Sequence, residues 1–250
     1  MSGHSKWHSI KHKKGAADKA RGKLFAKLIK QIEVAAREGG GDTDASPTLR
    51  SMVQKARDSS VPVDTIERAI KRGTGELEGV RYEPASYEGY APNGVAVYVE
   101  SLTDNRNRTG QEVKNIFTRS GGSLAEPGAV AWQFERKGVI LIEKRDATED
   151  ELMLAALDAG AEDIVDEGDT WRITTAPTDL HSVRGALEAA SIPFTSADLT
   201  MLPTQTVPLT DEVAARGVVR LIDALEENED VQAVYANFDI PDDVLQAVLA

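Results

Sequence analysis

Residues 138–202 read GVILIEKRDATEDELMLAALDAGAEDIVDEGDTWRITTAPTDLHSVRGALEAASIPFTSADLTML, and this stretch decides the fold class. Val139 to Ile142 is a short apolar run bounded by Gly138 and a charged turn, as a strand is. Thr148 with Glu151 forms a capping-box signature, which predicts a helix from Thr148 to Ala159. Two strands follow, around Ala161 to Val165 and Trp171 to Thr174. A helix over Asp179 to Ala190 and a strand over Phe194 to Leu202 complete the run. The order β-α-β-β-α-β is that of a ferredoxin-like sandwich.

The flanks read as parts of a second unit of the same kind. Asn93-Gly94 is a turn signal, after which Val95, Val97 and Val99 alternate as a strand does. The polar loop Thr103–Thr109 leads into a helix that buries Val113, Ile116 and Phe117. Gly121-Gly122 breaks it, and Val130, Trp132 and Phe134 alternate as a further strand. Far downstream, Thr210 to Glu227 is a helix with Val213, Val218, Leu221, Ile222 and Leu225 inward, and Val231 to Phe238 a strand. Residues 82–136 have too few elements to close a sandwich, and the tail supplies the missing α-β pair. The expected organisation is a discontinuous middle domain, 82–136 with 206–250, carrying 137–205 as an insert; three sequential domains with a loosely placed tail are the alternative.

Ahead of these lies an all-helical part, 1–81. Asp18 is a candidate N-cap for a helix to about Glu38, with Leu24, Leu28 and Ile32 on one apolar face beside Phe25 and Ile29. Lys23, Lys27, Lys30 and Arg37 fall on or near its other faces. Ser46-Pro47 starts a second helix with Leu49, Met52, Val53 and Ala56 inward. Asp64 and Glu67 suggest a capping box for a third, ended by Gly73. The fold class is therefore α+β: a three-helix domain followed by two ferredoxin-like sandwiches, one inserted in the other.

Charge is divided unevenly along the chain. Formal net charge is -12, yet residues 1–81 hold 17 Lys+Arg against 10 Asp+Glu, while residues 82–250 hold 12 against 31. The first two dozen residues gather Lys6, Lys11, Lys13, Lys14, Lys19, Arg21 and Lys23 around Trp7, His4, His8 and His12, with Asp18 as their single acid. At physiological salt, charges much more than ~8 Å apart are screened, so a polyanion near this arm feels mainly the arm. The acidic remainder acts as a solubilising body. Trp7 either stacks on an exposed base or pins the arm to the helices. The histidine spacing of four would suit a metal, but the surrounding lysines oppose a dication and no carboxylate lies close, so no metal site is expected.

A second basic cluster, Arg106, Arg108, Lys114 and Arg119, stands against one acid, Glu112. Arg106 and Arg108 sit at a helix N-terminus, where free N–H groups favour an anion. Phosphate contact is the expectation; a loop whose Asn and Thr merely cap the helix is the alternative. Catalytic signatures are missing: there is no Walker loop, no G-x-S-x-G and no H-E-x-x-H, so no enzyme, cofactor or small-molecule substrate is expected. The chain has no cysteine, which fits a reducing compartment. No apolar run is long enough to span a membrane, and no apolar stretch follows the basic N-terminus as a secretory signal requires.

The motifs MSGHSKW at the start, Ala20–Lys30, the run Asp64–Gly73, Tyr87–Tyr90 and TDNRNRT at Thr103–Thr109 resemble the YebC/PmpR family, in order and along essentially the whole chain. His8-Ser9-Ile10 falls where that family varies. The resemblance implies a helical N-terminal domain, two α+β domains and a cytoplasmic regulator of gene expression. Bacterial members are described as probable DNA-binding transcriptional regulators. A mitochondrial relative activates translation, and some bacterial members act on ribosomes stalled at proline-rich stretches. The partner is thus DNA or RNA, including the ribosome. The chemistry of the arm suits RNA, since the three-helix domain lacks a concentrated Arg/Asn/Gln face.

Overall fold

A computed structural model describes residues 18–249, without the side chains of residues 18–21, 242 and 249. The fold is α+β, with eight helices and ten strands among the described residues. These residues divide into two compact units: those up to Ala129 with Arg216–Val234, and Val130–Ala215 with the residues from Tyr235 onward.

The first unit opens with α1 (Asp18–Gly39), α2 (Pro47–Asp58) and α3 (Val63–Thr74). Their apolar stripes meet in one core of Leu28, Ile32, Ala35, Ala36, Leu49, Val53, Ala56, Ile66 and Ala69. Leu24, expected on the same stripe, is 42% exposed, while its neighbour Phe25 packs against the core. Ser46 caps α2 by accepting the Leu49 N–H at 3.3 Å, and Pro47 takes the first helical position. The capping box expected for α3 does not form. Pro62 is its N-cap and offers no side-chain acceptor, while Asp64 sits inside the first turn and pairs with Arg68 at 3.5 Å. α1 and α3 are tied by Arg72, whose Nε donates to the buried Glu33 carboxylate at 2.6 Å.

Gly73 does not end α3, as the sequence suggested; Gly75 does, with φ at 85°. Gly73 is instead a point of contact: a Cβ there would lie 2.5 Å from the Glu33 carbonyl oxygen and 2.7 Å from Ala36 Cβ. Gly→Ala inside a helix ordinarily stabilises by ~0.5–1 kcal/mol. Here overpacking reverses the sign, and Gly73→Ala is expected to cost about 1–3 kcal/mol in chemical denaturation. Unchanged or raised stability would contradict the close approach.

The same unit holds a four-stranded sheet. β1 (Glu83–Tyr90) and β2 (Ala96–Thr103) form an antiparallel hairpin from Tyr90↔Ala96 to Glu83↔Thr103. Its turn uses Asn93 and Gly94 at φ of 64° and 74°, as the Asn-Gly signal predicts. α4 (Arg106–Arg119) then crosses to β3 (Ser123–Ala125), antiparallel to the other edge of β1. Gly89 lets α4 lie close, since a Cβ would meet the Phe117 ring at 2.6 Å. The returning chain adds α7 (Glu212–Glu226), with Val218, Leu221, Ile222 and Leu225 fully buried, and β9 (Val231–Ala236) beside β2. The strand order is β3-β1-β2-β9. Val213 is not inward as expected but 78% exposed, at the start of α7.

In the second unit, β4 (Phe134–Glu143), α5 (Glu149–Ala156), β5 (Ala161–Asp166), β6 (Thr170–Thr175), α6 (Leu180–Ala189) and β7 (Ser196–Pro203) follow the predicted order. The sheet is antiparallel in the order β5-β6-β4-β7, the ferredoxin-like arrangement. Ile140, Ile142, Leu152, Ile173, Val183 and Leu187 fill its core. The Thr148–Glu151 capping box forms, and hydrogen bonds from the Thr148 N–H and hydroxyl hold the Glu151 carboxyl below its ordinary range. The strand expected over Val130–Phe134 is replaced by a 3-10 turn, Ala131–Gln133, with Trp132 71% exposed; β4 begins only at Phe134. A short parallel pair, β8 (Val207–Pro208) with β10 (Phe238–Asp239), and α8 (Asp242–Leu249) complete the described chain.

Candidate nucleic-acid interface

Lys6, Trp7, Lys11, His12, Lys13 and Lys14 lie outside the described residues, as do His4 and His8. Lys19 and Arg21 belong to the first turn of α1.

Lys23 is the first predicted contact whose side chain can be followed, and it faces inward on its own unit. Its Nζ lies 3.4 Å from the Glu227 carbonyl oxygen and 3.9 Å from the Glu227 carboxylate. Lys27 donates to the Glu226 carbonyl at 3.1 Å, and Lys30 to that of Glu229 at 3.0 Å. Spacings of four and three set these lysines on one side of α1, against the C-terminal end of α7. The last carbonyls of a helix lack intrahelical donors and carry the negative end of its dipole, so a row of ammonium groups stabilises them. The acidic run Glu226–Asp230 was the sequence signal for this docking, and it went unread.

The Thr103–Thr109 loop is organised around Asp230. That carboxylate is buried and accepts from Lys30 Nζ at 3.0 Å, Arg108 Nη2 at 2.5 Å and the Thr109 hydroxyl at 2.7 Å. With the Thr109 proton directed at Asp230, the Thr103 hydroxyl donates to Thr109 Oγ1 at 2.7 Å and accepts the Asn105 N–H at 2.9 Å. Asn105 caps α4 by accepting the Arg108 N–H at 3.1 Å. Burial pushes the Asp230 carboxyl up, but the hydrogen bonds from Thr109, Arg108 and Lys30 outweigh it and hold the group below its ordinary value. The hydrogen bond to Asp230 raises Arg108 in turn.

Arg108 also reaches Asp104 at 2.8 Å, and Arg106 pairs with Glu83 at 3.3 Å and donates to the Pro84 carbonyl at 2.8 Å. Two cations at a helix N-terminus oppose the dipole; Asp230, Asp104 and Glu83 compensate. The structure therefore brings Arg106 and Arg108 to one end of α4, each with a carboxylate partner. Lys114 and Arg119 lie further along α4, both exposed and without an ion pair among the described residues.

The sequence reading overlooked what surrounds them. Asn107, Gln111, Lys114, Asn115, Thr118 and Arg119 are all exposed and share one face of α4, with no acid among them. Gln111 donates to the Asn115 carboxamide at 3.1 Å, which orients both amides. The half-buried Glu112, on the flank, receives Asn228 at 2.8 Å. The spacing of four through Asn107, Gln111 and Asn115 was the available signal.

Among the described residues there is no group of side chains placed to hold a metal and no helix long and apolar enough to cross a membrane. Fold and surface together define an α+β protein of helical and antiparallel-sheet parts that presents a cationic, amide-bearing helix. Residues 5–76 match the family described as the TACO1/YebC protein N-terminal domain, and residues 82–238 the TACO1/YebC second and third domain. The chain belongs to the TACO1/YebC family. A protein of Halothermothrix orenii is 54% identical over 250 residues, 99% of either chain. One of Mycolicibacterium smegmatis is 57% identical over 245 residues, covering 98% of this chain and 97% of its own. Both bear the name "probable transcriptional regulatory protein". The crystal structure of a conserved hypothetical protein from Aquifex aeolicus superposes with a TM-score of 0.81 at 47% identity, over 90% of this chain and 93% of that one.

Proposed function

We propose that the chain is a nucleic-acid-binding regulator of gene expression that acts on DNA in the cytoplasm, without catalysis or cofactor. The observation that carries this reading is the acid-free face of α4. Carboxamides at helical spacing suit bidentate contact with base edges. Lys114 and Arg119 beside them, with Arg106, suit phosphates, which position a protein without reading sequence. The names of the relatives support the same reading. Lys6, Trp7, Lys11, His12, Lys13, Lys14, Lys19 and Arg21 supply the sequence-independent grip. Lys23 and Arg108 contribute less directly, through the α1 and α4 contacts that hold the surface in place. The working division is a basic arm with helices over 1–81, a middle domain of 82–136 with 206–250, and an inserted domain over 137–205.

A second reading, ribosomal RNA as the bound partner in translation, is favoured by the composition of the arm: lysine, histidine and one tryptophan suit phosphate contact and stacking on unpaired bases. Crosslinking in cells followed by sequencing of the bound nucleic acid separates the two. Discrete promoter fragments support the DNA reading, and ribosomal RNA supports the other. On a captured fragment, Gln111→Ala with Asn115→Ala is expected to weaken binding by about tenfold or more, given ~1–3 kcal/mol per bidentate contact. Both side chains are exposed, so the melting temperature should stay within about a degree. Equal affinity for captured and scrambled fragments in wild type and variant alike would remove α4 from the reading of sequence.

A further inference from the structure

At the N-terminal end of α4 the first unit has an open recess of about 340 Å³. Arg37 and Glu38 from α1, Arg81 and Tyr82 from the segment before β1, Glu83 of β1 and Arg106 of α4 border it. Three arginines thus border a space with two acidic residues. Glu83 is already matched, since Arg106 lies 3.3 Å from it. The Arg37 guanidinium is held by a long bond to the neutral Val80 carbonyl, 3.4 Å, and has no carboxylate partner among the described residues. Arg81 is exposed, and its side chain makes no hydrogen bond or ion pair among the described residues. Glu38 alone remains to oppose Arg37 and Arg81. Clustered like charge draws a counter-charge, and planar guanidinium forks match phosphate oxygens in pairs. Tyr82 lines the same space; Lys30 Nζ, 4.9 Å from its ring centre, is already matched by Asp230 at 3.0 Å and adds no free charge to the recess.

We propose that this recess is a phosphate subsite, in which Arg37 and Arg81 bracket one phosphate group while Arg106, fixed by Glu83, shapes its wall. The proposal rests on the nucleic-acid reading to the extent that the phosphate belongs to a polynucleotide backbone; a free nucleotide offers the same chemistry. Arg81→Gln is the informative variant, because Arg81 has no partner whose loss would disturb folding; Arg37→Gln is its companion. Fluorescence anisotropy with a 20-nucleotide single-stranded RNA and a 20-base-pair DNA duplex, over a salt series, reads the backbone source. Each variant is expected to lose one phosphate contact. The slope of log affinity against log salt then falls by roughly 0.7–0.9, and affinity at 0.1 M salt falls about five- to tenfold.

Thermal shift with inorganic tripolyphosphate and with a nucleoside monophosphate reads the free source, with stabilisation of wild type and its loss in both variants as the expected result. Unchanged salt slopes together with unchanged thermal shifts in both variants overturn the subsite while leaving nucleic-acid binding intact. A wild type that ignores both polynucleotides, yet is stabilised by tripolyphosphate in a manner abolished by Arg81→Gln, keeps the subsite and overturns the nucleic-acid reading.

Discussion

Removing residues 1–17 is expected to lower affinity for nucleic acid by about a thousandfold or more at 0.1 M salt. The segment contains Lys6, Lys11, Lys13 and Lys14 and no acid. Each lysine that neutralises a phosphate releases condensed counterions, contributing about 0.9 to the slope of log affinity against log salt on duplex DNA. With ~6 contacts, the whole chain should lose roughly a thousandfold in affinity between 50 and 200 mM salt; with four removed, the loss over the same range should be only about tenfold. The cut leaves Asp18–Gly39 intact, so the lysines that meet the end of α7 stay in the chain. The melting temperature should therefore hold while affinity collapses. A truncated chain that binds as tightly as the full one, with the same salt slope, would move the grip from the arm to the folded surface. The acidic balance of residues 82–250 argues against that outcome, since most of that surface repels a polyanion.

What could be read from sequence followed the physics of each signal. The 138–202 stretch was legible because its strands are short apolar runs, its helices have clear starts, and its capping box forms. α1 and α2 were legible for the same reasons. β1 was not: Glu83–Tyr90 has neither a clean alternation nor a β-branched run, and it is a strand because β2 and β3 pair with both its edges. Trp132 misled because an aromatic at alternating spacing suggests a strand, whereas the local backbone turns. Gly73 misled because an interior glycine and a terminal one look alike until the neighbouring helix is known. For the site, charge alone brought Arg106, Arg108, Lys114 and Arg119 into view. Their partners did not follow, because Glu83 and Asp230 are far from them in sequence and ion pairing leaves no local periodicity.

Asp230 is where that hidden part of the sequence has its largest consequence for stability. Asp230→Ala is expected to destabilise the first unit by about 2–4 kcal/mol, the range for removing one partner of a buried pair, discounted because Arg108 remains half exposed. The fully buried Thr109 hydroxyl loses its short bond and keeps only the Asn105 carbonyl at 3.2 Å, and Lys30 loses its counter-charge. At ~2–4 °C per kcal/mol, the melting transition of this unit should fall by roughly 5–15 °C. Arg108→Ala should fall less, because Lys30 and Thr109 still satisfy the carboxylate, while Arg106→Ala, an exposed pair, should barely move it.

The pH dependence supplies the sign. The native Asp230 carboxyl lies below its ordinary value, so the unfolded chain takes up the proton first as pH falls. The stability this group contributes is complete above its unfolded value near ~3.9 and drains away as pH drops through the lower native one. The gap between wild type and Asp230→Ala should therefore be widest above about pH 5 and narrow towards pH 3, read by denaturant unfolding at each pH. A gap that stays constant would mean that Asp230 acts by packing rather than by charge. If Arg108→Ala abolished nucleic-acid binding at an unchanged melting temperature, the guanidinium would belong to phosphate first and to Asp230 second. The two assays together therefore decide which anion Arg108 serves.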